Sequence, residues 1–96
     1  VTGFTGPFSD QIRVVGEAAS PRALPFRANM TLLDLMISTG GLTDFADGNE
    51  AQLVRTVEGE QRAYRVRLYD LLKKGDITAN QKVFPGDILI VPEALF

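Results

Sequence analysis

Ninety-six residues suffice for one hydrophobic core and not for two, so the chain reads as a single domain able to fold alone. An apolar share of 45% with 23% charged residues is ordinary globular usage, and no apolar run reaches the roughly 20 residues that span a bilayer. Ten basic and twelve acidic side chains nearly cancel, which leaves no broad field for a nucleic-acid backbone; the lack of Cys and His removes thiol nucleophiles, imidazole bases, the usual zinc ligand sets and disulfides.

The chain begins at Val1 with no secretory signal, and its aperiodic opening, with Gly3, Gly6 and Pro7, reads as the tail of a preceding domain over residues 1–10, with the folded domain over 11–96. Ile12, Arg13, Val14 and Val15 alternate as a half-buried strand with Ile12 and Val14 on one face. Ala19-Ser20-Pro21 reads as a turn and residues 22–26 as a short return strand, which Pro25 confines to a sheet edge or a bulge.

Thr31 and Asp34 form a capping-box-like pair, so a helix is expected to begin at Leu32. Leu32, Leu33, Leu35, Met36 and Ile37 cover more than half of its circumference and leave Asp34 and Ser38 on the wet side. Gly40-Gly41 supplies the left-handed cap, and a loop with Asp47-Gly48-Asn49 follows. Residues 52–57 and 62–68 flank Glu58-Gly59-Glu60-Gln61 as a second hairpin. In its second arm Tyr64, Val66 and Leu68 point to the core while Ala63, Arg65 and Arg67 face outward. Residues 69–74 read as a short helix with lysines near its negative end. Pro85-Gly86 fits a type II turn into Ile88-Leu89-Ile90-Val91, a run apolar on both faces and therefore a central strand, which Pro92 ends.

A helix after an opening hairpin, then a second hairpin, a short helix and a central closing strand is the order of an α+β, β-grasp (ubiquitin-like) mixed sheet of about five strands holding one main helix. A ferredoxin-like split βαβ competes, but it needs a helix directly after the first strand, and Pro21 argues against that.

Little in the chain carries catalysis. Gly40-Gly41 follows a helix rather than opening one, so it reads as a cap and not as a phosphate loop. Asp44 with Asp47 and Glu58 with Glu60 are carboxylate pairs in loops, where solvated turn residues are the common case and the rhythm of a calcium loop is missing. Seven arginines against three lysines is an unusual ratio, and guanidinium groups make forked contacts to carboxylates and hydroxyl-rich ligands. Arg65 and Arg67 are the candidate binding residues; cross-strand ion pairing is the alternative for both. Tyr64 reads as packed, while Phe4, Phe8 and Phe96 sit where adjoining domains would cover them.

The stretch Ile12-Arg13-Val14-Val15-Gly16-Glu17-Ala18, then Pro21, Met30-Thr31-Leu32-Leu33-Asp34 and Gly40-Gly41-Leu42-Thr43 resembles the soluble-ligand-binding β-grasp (SLBB) domain of bacterial polysaccharide export proteins. The closing Phe84-Pro85-Gly86-Asp87-Ile88-Leu89-Ile90-Val91-Pro92 resembles the ending of the same family, so the likeness covers residues 11–93. Around Pro7-Phe8-Ser9-Asp10-Gln11 the wording is most similar to export proteins of exosortase-linked exopolysaccharide systems. The resemblance implies a non-catalytic module without cofactor or metal, periplasmic and part of an outer-membrane export channel whose longer chain carries a signal peptide and an export domain. Its implied partners are its own subunits in a ring, exopolysaccharide, and an inner-membrane polysaccharide co-polymerase. A structural protein-protein adaptor is the alternative; a carbohydrate-modifying enzyme working with Asp and Glu alone would need two facing acids in a cleft.

Overall fold

The computed structural model describes residues 11–94. The proposed tail at 1–10, its exosortase-like wording before Gln11, and Phe4, Phe8 and Phe96 lie outside the described residues. Strand β1 (Gln11–Gly16) turns into β2 (Arg22–Pro25), helix α1 (Leu32–Thr39) follows, β3 (Ala51–Val57) and β4 (Glu60–Val66) form a hairpin, and α2 (Leu68–Lys73) precedes the closing strand β5 (Ile88–Val91). The sheet order is β2-β1-β5-β3-β4, with β1 and β5 parallel and the other pairs antiparallel. This is the α+β, β-grasp arrangement the element order predicts, with the last strand in the middle and β2 at a margin.

Both ends of α1 follow from local chemistry. The Asp34 N–H faces the Thr31 hydroxyl, and the Asp34 carboxylate accepts from the Thr31 N–H at 3.0 Å, a reciprocal capping box. Gly40 closes the helix at φ 83°, and its neighbour Gly41 donates to Met36 O. The buried stripe is Leu32, Leu35, Met36 and Thr39, narrower than the hydrophobic pattern predicts. Ile37 stands outside it, 71% exposed, because the sheet covers one side of the helix and Ile37 lies about 100° around from Met36. Thr39 occupies the stripe instead and donates its hydroxyl to Leu35 O at 2.9 Å, which removes the cost of burying it.

One core lies between the sheet and the helices. Ile12 and Val14 of β1, Leu53 of β3, Leu89 and Val91 of β5, and Leu32 and Leu35 of α1 are all at most 1% exposed, each contributing about 1.5–3 kcal/mol by burial. At Gly16, with φ +96°, an added Cβ would stand 2.1 Å from Val91 O, so glycine is what lets β1 and β5 approach where they pair.

Four further expectations need correction. The second hairpin closes on two residues rather than four: Glu58 (φ 52°) and Gly59 (φ 83°) make the primed turn, a role for glutamate that its side chain does not advertise. Leu68 starts α2 rather than ending a strand, because the backbone leaves the extended region at Arg67 (φ −101°, ψ 78°). Tyr64 is on the core-side face with Val66 but 39% exposed, since it stands beyond the helices on a marginal strand. Finally, β5 is central but not buried on both sides: Ile90 is 37% exposed, because no described helix covers that face of the sheet.

Candidate functional site

Three polar places stand out on this frame, and they differ in what occupies them. The first contains the sequence candidates. Arg65 donates from Nε to Asn49 O at 2.8 Å and pairs with Glu50 at 2.8 Å. Arg67, beyond the end of β4, reaches Asp70 at 3.0 Å and Asp76 at 3.4 Å. The two therefore do not share a strand face; their guanidinium groups are engaged with different carboxylates of the domain itself.

Asp70 gathers this region. Its backbone N–H donates to the Asn49 side-chain oxygen and its carboxylate accepts from the Asn49 amide, so the 3-10 turn at Gly48–Glu50 is tied to the first turn of α2. Gly48 in that turn has no room for a Cβ, which would lie 2.8 Å from Tyr69 N. Asp76 bonds the Thr78 hydroxyl and N–H; these bonds, with Arg67 nearby, hold its carboxyl below the ordinary aspartate value.

The second place is the turn Phe84-Pro85-Gly86-Asp87. The Asp87 N–H donates to Phe84 O at 3.1 Å, and Gly86 takes φ 87°, as a type II turn requires. The Asp87 carboxylate is fully buried and accepts from Phe84 N–H at 2.9 Å. Arg55 of β3 grips it with two nitrogens, Nε at 3.1 Å and Nη2 at 2.9 Å, and lies 4.3 Å from the Phe84 ring centroid and 5.5 Å from that of Tyr64. The Asp87 carboxylate is spent on Arg55 and the Phe84 N–H, so the cluster locks the entry to β5.

The third place is a groove of about 390 Å³ between the end of β2, the loop after it and the outer side of α1. Met30 N–H donates to Arg27 O, and Asn29, at φ 65°, takes the left-handed position that asparagine tolerates, so a tight turn sets the Arg27 backbone at the groove's rim. Met30 O then accepts from Val83 N–H, and Leu33 N–H donates to the Asn80 side chain, which pins this loop and the start of α1 to the far end of the chain. Leu24, Pro25, Met30 and Ile37 give the groove apolar walls; Arg27, Asp34 and Ser38 supply a cation, a carboxylate and a hydroxyl. Apolar walls with a few convergent polar groups are the usual composition of a small-ligand site.

The sequence pattern placed Asp34 and Ser38 together on the wet side of α1 but paired neither with Arg27. That conjunction depends on where β2 lies against the helix. The signal that could have found it was Ile37, a large apolar residue next to the polar stripe of a capped helix.

Fold and groove together define a small β-grasp module with an open, mixed polar and apolar cleft on its helix side. Residues 10–91 match the family model described as the SLBB domain, and the chain belongs to that family. Membership fits a domain of ligand-binding or polysaccharide-export type.

Proposed function

We propose that this domain is a non-catalytic periplasmic module of an outer-membrane exopolysaccharide export channel, in which it contributes contacts between the subunits of a ring and contacts with the polymer. The observation that carries the polymer half is the groove beside α1. A polysaccharide presents hydroxyl groups and apolar C–H faces in alternation, and Arg27, Asp34 and Ser38 beside Pro25 and Ile37 offer both kinds of partner within one open cleft. Family membership over residues 10–91 supports the export setting. Among the described carboxylates, Asp87 is committed to Arg55, and Asp70 and Asp76 to Arg67, so this reading gives these three no catalytic role.

The test is a titration of isotope-labelled chain with the cognate oligosaccharide. Amide resonances of Arg27, Ile37 and Ser38 shift together at millimolar ligand, and Arg27→Ala weakens the response. A response centred on Arg65 and Arg67 would move the site to the other end of the molecule, and a flat response would remove the polymer contact. Cross-linking of the full-length protein in its cells tests the ring half, with links expected between copies of this domain.

A further inference from the structure

The two margins of the sheet are built differently. In β1, Arg13 N–H donates to Asp87 O and Gln11 O accepts from Gly86 N–H, so the odd-numbered residues turn their main-chain groups toward β5. Ile12 and Val14 then turn theirs toward β2, and their partners Leu24 and Arg22 are the hydrogen-bonded residues of that strand. Ala23 and Pro25 are left facing outward, with Pro21 next in the same phase. Two of these three positions have no N–H, and a margin so deprived of donors does not accept another strand.

The margin at β4 carries no such protection. Its two-residue turn makes Val57 and Glu60 a hydrogen-bonded pair, and the one-to-one register continues with Arg55 opposite Arg62 and Leu53 opposite Tyr64. Gln61, Ala63 and Arg65 therefore direct N–H and C=O away from β3. The strand is seven residues long, has no bulge or proline, and is exposed throughout residues 60–65. Long, regular and unprotected margins are templates for strand addition.

We propose that β4 is a self-association edge at which two copies of this chain pair β4 to β4 in antiparallel fashion, about a two-fold axis at Ala63. The side chains are self-complementary in that register. Gln61 faces the second copy's Arg65, Arg62 faces the second copy's Tyr64 in reach of a cation-π contact, and no like charges oppose. Centring the axis on Arg62 would set two guanidinium groups against each other; centring it on Tyr64 would set Arg65 against Ala63. On the sheet face without a described helix, the register aligns Ala23, Arg13, Ile88, Val54 and Ala63 in one row. With Ala63 on the axis, the second copy continues its apolar end through Ala63 and Val54. Because the β2 margin is closed, sheet extension stops at two copies and the contact is isologous. The pairing goes beyond the export reading and does not depend on it, since a two-fold contact limited to two copies is distinct from the head-to-tail contacts that close a ring.

Sedimentation of the 96-residue chain over a concentration series, with amide exchange at residues 61, 63 and 65, tests it. A monomer-dimer equilibrium is expected, with these three amides slowed at least tenfold in the dimer. Ala63→Glu and Ala63→Lys place like charges at the axis, so each alone is monomeric, and their equimolar mixture recovers the dimer. Ala63→Pro, which removes an outward N–H and no bond of the sheet, is monomeric with an unchanged fold. Absence of association up to about 1 mM, a dimer indifferent to Ala63→Glu, or a dimer with fast exchange at residues 61, 63 and 65 overturns the proposal.

Discussion

Arg55 and Arg65 lie on neighbouring strands and hold their carboxylates at nearly the same distance, 2.9 Å to Asp87 and 2.8 Å to Glu50. Their surroundings are opposite. Asp87 is sealed from solvent, and the Arg55 side chain is 23% exposed; Arg65 and Glu50 are 60% and 57% exposed. Water and salt screen the second pair almost completely, whereas the first sits where a lone charge has nothing to replace its partner. Distance alone therefore says little about what an ion pair contributes; the medium around it decides.

Substitutions at the two pairs break that comparison in graded steps. Arg55→Ala has the largest effect, a loss of about 3–5 kcal/mol, because it strands a carboxylate that cannot reach water. Asp87→Ala costs less, about 2–3 kcal/mol, since the long arginine can swing its head to solvent while Phe84 N–H loses its acceptor. Urea unfolding with an unchanged slope measures both, and equal losses would show that the asymmetry in exposure is immaterial. The double change Arg55→Met with Asp87→Leu sharpens the point: it costs less than the sum of the two single losses, because neither charge is left alone.

Arg67→Ala falls between the extremes at about 1 kcal/mol, as its partner Asp70 is 16% exposed and also braces Asn49. Arg65→Ala changes stability by no more than about 0.5 kcal/mol, and less in high salt. The smallest effect concerns acid. Asp76 titrates lower in the folded chain than in the unfolded one, chiefly through its Thr78 hydrogen bonds and then through Arg67. A depressed carboxylate contributes stability that is present above its unfolded pKa and is lost as pH falls through its folded pKa. Carbon-detected titration should place the Asp76 midpoint below the ordinary aspartate value, and Thr78→Ala should raise it; an unmoved midpoint would assign the depression to Arg67.

What was legible in the chain divides along the range of the interactions involved. The α1 boundaries depend on Thr31, Asp34 and Gly40, which act within one turn of their own backbone, and they could be read residue by residue. The central place of β5 was legible too, because an unbroken apolar run belongs between other strands. Its bare face was not: Ile90 is apolar, yet whether a helix covers it depends on segments far away in sequence. Arg67 misled for a related reason. Alternation from Tyr64 to Leu68 fits a strand, but the chain turns at Arg67 so that Leu68 and Leu71 of α2 can reach the core.

The candidate groove shows the same division. Asp34 and Ser38 share a helix side by periodicity alone, but Arg27 joins them only because β2 packs beside α1 and a turn at Asn29 sets the approach. By itself the sequence determined the order of the main elements, the caps of α1 and the family, because each rests on local backbone preference or on a short run of residues. Tertiary structure decided which arginine grips a sealed carboxylate and which are spent at the surface, where the groove opens, and that one sheet margin is barred by proline while no described strand pairs with the other. Those properties belong to pairs of residues brought together from distant parts of the chain, and no local pattern encodes the distance between them.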